Sequence, residues 1–227
     1  MIDKEEFNKQ LEIVKEILND SSYNIQKEVI KELFEKTKNN LKKDVLLRLV
    51  VIDSGYSTNM NKRLFGFEDL TNLILELDEE LEKIKVVEDV LDFVKKNLNT
   101  NILLRDVGID KKGGNKGHAF SLISKYIFFR TKYHFPIYDR LVFEGLKIKG
   151  QRNPSEEYFE KLVKLKREWD VSFDDLDKFF WVCGKIKEKN LSLLFPNSNS
   201  YKNFRNGNFN DKTAKNILKI EEMINRD

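Results

Sequence analysis

Apolar residues recur every three or four positions along nearly the whole chain, and no stretch alternates as a half-buried strand would. Phe7, Leu11, Val14 and Leu18 form the first helical stripe. Ser21 and Ser22 interrupt it and can cap a second helix, with Ile25, Val29, Ile30 and Leu33 facing inward. Residues 43–52 read as a third helix, apolar at Val45, Leu46, Leu49, Val50 and Ile52. The polar run Asp53-Ser54-Gly55-Tyr56-Ser57-Thr58-Asn59-Met60 follows and can cap another. Residues 67–84 and 86–98 have amphipathic, acidic helical patterns, and 97–100 reads as a loop. Residues 118–129 form an apolar segment that predicts a buried helix. Asn153-Pro154-Ser155-Glu156-Glu157 is a helix start with acids in its first turn. Ser172-Phe173-Asp174-Asp175 is of capping-box type and leads into Leu176, Phe179, Phe180 and Val182. Residues 195–200 read as a linker, and Asn210 or Asp211 can cap a last helix over 213–224. The pattern predicts an all-α fold of about nine or ten helices.

A chain of 227 residues suits one large domain, or two lobes with one cleft, with a real core. Three prolines and ten glycines leave little room for disorder. The single cysteine, Cys183, excludes an internal disulfide and sits in an apolar run that favours a buried thiol over a nucleophile. No apolar run is long enough to span a membrane, and residues 1–7 are no signal peptide, so a cytoplasmic setting is expected. The net charge of +3 hides a pattern. Residues 68–92 carry ten acids against two lysines, whereas 105–152 carry eleven Lys or Arg against four acids. Such a basic concentration fits a polyanionic partner. Lys-rich helices balanced in space by the acidic segment are the plainer alternative.

Candidate chemistry gathers in residues 111–140. Lys111, Lys112, Gly113, Gly114, Asn115, Lys116 and Gly117 form a basic glycine-rich loop before the apolar segment. Such a loop at a helix start can aim N–H groups at an anion. The spacing is not that of a nucleotide phosphate loop; a helix–loop–helix gripping a nucleic-acid phosphate matches better. The turn Phe135-Pro136-Ile137-Tyr138 then delivers Asp139. Asp139 can cap the helix that follows, or face a substrate and stabilise an oxocarbenium-like sugar or orient water. Lys125, inside an apolar stretch, would be half-buried. That would favour a neutral, nucleophilic amine, or else a snorkelling side chain or a partner for Asp139. His118 and His134 are the only histidines, which with one cysteine gives no zinc or iron–sulfur site.

Residues 45–185 resemble the helix-hairpin-helix DNA glycosylases, most closely the bacterial branch related to 8-oxoguanine glycosylases. The likeness rests on 52–58 (Ile-Asp-Ser-Gly-Tyr-Ser-Thr), 121–126 (Ser-Leu-Ile-Ser-Lys-Tyr), 135–140 (Phe-Pro-Ile-Tyr-Asp-Arg) and 177–181 (Asp-Lys-Phe-Phe-Trp), in the family's order. It implies a two-lobed helical fold with a helix-hairpin-helix at a DNA-binding cleft. The central lobe would span about 40–138, and 1–39 with 139–227 would form the second. It implies that a nucleotide of double-stranded DNA is flipped out and a modified base cut from its sugar. That base could be an oxidised guanine or another modification, such as a hypermodified phage base. Asp139 would be the catalytic carboxylate. The interval at which bifunctional relatives place a lysine falls near Phe120 or Ser121, so Lys125 and then Lys116 are the candidate amines, and the strand-cleaving step stays open. Lys111, Lys112, Gly113, Gly114, Asn115, Gly117, His118 and Arg140 would bind DNA. Tyr56, Ser57, Asn59, Tyr138 and Trp181 would line the base pocket or fill the gap, with Phe128 and Phe129 as further walls. No cofactor and a monomer are expected. The alternatives are a helical DNA-binding module without chemistry and a protein-interaction domain.

Overall fold

The computed structural model describes residues 3–19, 21–56, 58–146 and 154–226. Among them the chain is all-α, with eleven α-helices and two short 3-10 turns; extended segments pair only as isolated bridges. The chain divides into two compact units.

One unit comprises Met1–Glu28, Arg140–Ile148 and Leu165–Asp227. It holds α1 (Lys4–Asn19), the first turns of α2 (Ser22–Lys36), α7 (Arg140–Gly145) and the end of α8 (Glu156–Trp169). It also holds α9 (Phe173–Lys187), α10 (Ser198–Arg205) and α11 (Lys212–Arg226). Helix α9 packs against α1, α7 and α11. Phe7 stacks on Trp169 at 4.2 Å between ring centroids and meets Phe179 at 4.7 Å. Ser172 and Asp175 form the expected capping box at the start of α9. A side chain at Gly184 would lie 2.7 Å from Leu141 Cβ, so α9 and α7 pack at glycine distance.

The expected inward face of α2 holds in part: Ile30 is buried and Leu33 half-buried, but Ile25 and Val29 are exposed and Tyr23 and Lys27 are buried instead. The reason is charge. Lys27 pairs with Asp174 and lies 3.5 Å from Asp177, whose carboxylate also accepts the Tyr23 hydroxyl at 2.7 Å. A buried ammonium is tolerated because it is paired and hydrogen-bonded. Ser21 does not cap α2 forward; its hydroxyl donates back to the Leu18 carbonyl that ends α1. Half of the expected linker is helix: Asn197 accepts the Ser200 N–H and caps α10, which begins at Ser198. Asp211, rather than Asn210, accepts amides at the start of α11.

The other unit comprises Val29–Asp139 and Lys149–Lys164. It holds most of α2, then α3 (Lys42–Tyr56), a 3-10 turn (Met60–Lys62), α4 (Gly66–Leu81), α5 (Val87–Asn99) and α6 (Phe120–Arg130). It also holds the first half of α8. Helix α3 packs on α4 and α6. The expected α3 face also holds in part: Val45, Leu49 and Ile52 point inward together with Arg48 and Asp53, whereas Leu46 and Val50 point to solvent. The Arg48 guanidinium is fully enclosed, under the Phe34 ring at 4.3 Å. It donates to Thr37 Oγ1, Asn39 Oδ1, the Tyr126 hydroxyl and the carbonyls of Phe34 and Thr37. It thereby satisfies carbonyls at the end of α2, which otherwise lack helical partners.

Candidate active site

Helix α6 is buried on nearly every face, from Phe120 to Phe129. Its sequence is apolar all round, which suits a central helix rather than a surface one. Lys125 lies in its middle with a side chain only 2% exposed. Its Nζ donates to Ser121 Oγ at 2.9 Å, one turn back, and lies 3.3 Å from Asp139 Oδ2. It also sits 5.3 Å from the centre of the Tyr56 ring. Asp139 is 24% exposed, so the pair joins an enclosed amine to a carboxylate that reaches solvent.

Two further contacts fix this geometry. Ser124 Oγ accepts the Tyr138 N–H at 2.9 Å. The Tyr158 hydroxyl donates to the Ile137 carbonyl at 2.6 Å. With Phe135 and Ile137 buried, the turn 135–139 is seated on α6, and the neighbours Ser124 and Lys125 hold the neighbours Tyr138 and Asp139. The Tyr138 ring is half-buried against Phe120 and Tyr158, and this burial raises its phenol above the ordinary value. Ser121, Ser124 and Tyr158 were absent from the expected site. The signal for the serines was their spacing, four and one residues before Lys125.

Asp53 organises the loop after α3. Its carboxylate accepts the Thr58 hydroxyl and the Met60 N–H at 2.8 Å. Tyr56 ends α3 with its ring toward Lys125 and Phe129, while Asn59 is exposed at φ 62°. Ser57 lies outside the described residues.

The basic loop differs from the expected helix–loop–helix. Helix α5 ends at Asn99 and α6 begins at Phe120, and residues 107–117 between them form a small hairpin. Ile109 bridges Leu64 on one side and Asn115 on the other. The Asp110 carboxylate accepts the N–H groups of Lys112 and Gly114, at 2.8 and 3.0 Å. These bonds hold its carboxyl below the ordinary value. Those two amides therefore serve the turn itself rather than an outside anion, a local Asx arrangement that Asp110 before Gly113-Gly114 signals in the sequence. Lys111, Lys112, Gly113, Gly114, Asn115 and Lys116 are exposed. Asn115 donates to Asp106 at 2.9 Å, and His118 Nδ1 accepts the Phe120 N–H at 3.4 Å. Arg63, a residue not anticipated, donates to the carbonyls of Val107, Gly117 and His118 and closes the hairpin's base. Gly117 at φ 71° ends it.

Most of the other expected site residues have partners of their own. Phe128 and Phe129 are core. Lys116 stands on the exposed hairpin, whereas Lys125 reaches Asp139. Trp181 and Arg140 belong to the first unit. There Trp181 packs on Tyr23 at 4.5 Å with Lys185 5.4 Å from its ring, and Arg140 pairs with Glu144 and Glu188. Burial pushes the Cys183 thiol up to about 12. Among the described residues no cluster of His, Cys, Asp and Glu could hold a metal, and no helix is long and apolar enough to cross a membrane.

A family model described as HI_0787_N, N-terminal domain, matches residues 6–134, more than half of the chain. The chain belongs to this family. The matched region takes in Tyr56, the hairpin and Lys125, and stops before Asp139. No curated protein and no solved structure matches the chain.

Proposed function

We propose that this protein is a DNA glycosylase that releases a modified base by cleaving its N-glycosidic bond. The observation that carries the reading is the pairing of an enclosed amine with a solvent-reaching carboxylate, Lys125 and Asp139, 3.3 Å apart beside the Tyr56 ring. The Asp139 carboxylate would stabilise positive charge developing on the sugar and orient the attacking water. Lys125 supplies the nitrogen for a covalent route. Its neutral amine would attack the sugar carbon, and the base would leave with the electrons of the glycosidic bond. Tyr56 and Tyr138, both partly exposed, are aromatic surfaces beside the pair for an extruded base. The lysines of the hairpin supply phosphate contacts through side chains rather than amides.

The test is base release from duplexes carrying oxidised, alkylated, deaminated or glucosylated bases, with borohydride trapping. Asp139→Asn is expected to abolish release, on the order of a hundredfold or more. Lys125→Ala is expected to abolish trapping. A non-catalytic DNA-binding module is the second reading, because the Lys125–Asp139 pair also clamps the 135–139 turn to α6. It predicts DNA binding that survives Asp139→Asn, and no release from any duplex by the wild type.

A further inference from the structure

Seven non-glycine residues among those described have positive φ. Asn101, Lys132, Tyr133, Asp170 and Lys189 follow the ends of α5, α6, α8 and α9, where a left-handed residue closes a helix. Asn59 and Phe65 instead precede helical turns. Asparagine tolerates this conformation; a phenylalanine at φ 59°, ψ 3° does not do so without support.

The support is the hairpin. Leu64 and Ile109 exchange two backbone hydrogen bonds, at 2.9 and 3.0 Å. Gly108 donates to Asp69, and a side chain at Gly108 would lie 2.9 Å from Gly66 Cα. Arg63 holds both ends of the hairpin. Residues 63–66 and 107–117 are thus tied together, and the result is to turn the Phe65 ring outward, 65% exposed, beside the exposed Leu64. Lys111, Lys112 and Lys116 on the hairpin, and Lys62 just before residue 63, are exposed, and among the described residues none of them forms an ion pair. The neighbouring acids are engaged: Asp110 and Asp69 with hairpin amides, Asp106 with Asn115, and Glu68 with Lys42 at 3.7 Å. An exposed aromatic ring on segments that also present exposed lysines suits a polyanion with flat apolar faces. A protein partner is disfavoured, since lysine is depleted at protein–protein interfaces.

We propose that Phe65 is an apolar wedge that enters the base stack of duplex DNA, while Lys62, Lys111, Lys112 and Lys116 hold the flanking phosphates. The proposal rests on the DNA-glycosylase reading for its partner. Wedges of this kind unstack a base step and help to open the duplex.

The test uses the full chain and short duplexes carrying 2-aminopurine, one position per oligonucleotide. Wild type is expected to bind and to raise the fluorescence at one or two positions as the analogue unstacks. Phe65→Gly, which suits the left-handed backbone, is expected to fold, to bind about tenfold more weakly and to lose that rise. Phe65→Leu is expected to keep part of it. Replacing Lys111, Lys112 and Lys116 together by Ala should flatten the log–log salt dependence of binding by about 3. If Phe65→Gly raises the fluorescence as wild type does, the wedge is overturned while the glycosylase reading stands. If wild type binds no duplex even at low salt, both fall. If Phe65→Gly leaves DNA binding untouched but abolishes self-association, the surface is a protein contact and the wedge is overturned.

Discussion

Lys125 and Arg48 show how much depends on single buried cations. Lys125 has one charged partner, Asp139, and one hydroxyl, Ser121. Lys125→Ala removes a charged partner of Asp139 and leaves a hole in α6. The expected loss is about 3 kcal/mol in chemical denaturation, tempered because Asp139 reaches water. Lys125→Met keeps the packing and should cost less, so the pair of variants separates charge from volume. Arg48→Lys keeps the charge but not the planar fork that serves Thr37, Asn39, Tyr126 and Phe34. It is expected to lose about 2–4 kcal/mol. The Cys183 thiol, raised by burial to about 12, should react slowly with thiol reagents at pH 8 and rapidly once the chain is unfolded.

At the scale of elements, the hairpin and α2 are each set by contacts distant in sequence. Gly108 has φ +72° and touches Arg63, Leu64 and Gly66. Gly108→Ala is expected to loosen the hairpin and cost about 2 kcal/mol by denaturation. Gly113 has φ +83° but nothing within 4 Å, so Gly113→Ala should cost about half as much. The face of α2 depends on Lys27 and the acids of α9. Burial raises the Asp174 carboxyl, but Lys27 and Lys178 more than offset this and hold it below the ordinary value. Its contribution to stability is therefore present above the unfolded value of 3.8 and is lost as pH falls through the lower folded one. Asp174→Asn should accordingly flatten the stability–pH profile between about pH 5 and 3.

At the scale of the whole molecule, charge is arranged rather than accumulated. A net charge of +3 would not by itself suggest a polyanion partner. Four of the eleven basic residues of 105–152 are already engaged: Arg105 with Glu76, Lys125 with Asp139, Arg130 with Asp78 and Glu82, and Arg140 with Glu144 and Glu188. Among the described residues, the hairpin lysines and Lys132 are what that segment leaves open. DNA affinity should therefore respond to those lysines, and far less to Arg105→Ala or Arg130→Ala, in binding isotherms taken across a salt series. Of the candidate site, Lys125, Asp139 and Tyr56 were legible because each departs from its surroundings: a lysine in an apolar run, a carboxylate after a proline turn, a tyrosine in a polar interruption. The role of Arg63 was not legible, because its three acceptors lie more than forty residues away.

The all-α class, the existence of most helices, and the caps at Ser172 and Asp211 are local properties, set by periodicity and by side chains within one turn. They were therefore readable along the chain. The faces of α2 and α3 were readable only in part: Ile30, Val45, Leu49 and Ile52 are buried, but the burial of Lys27 and Arg48, with Ile25, Val29, Leu46 and Val50 left exposed, depends on acids of α9 and on groups at the end of α2 that no helical period shows. The hairpin form of the glycine loop was not readable for the same reason: Asp110, Arg63 and Leu64 bind its backbone and leave its lysines exposed. The pairing of Lys125 with Asp139 likewise required the turn 135–139 to fold back onto α6, a contact fixed by Ser124 and Tyr158 and by no local rule.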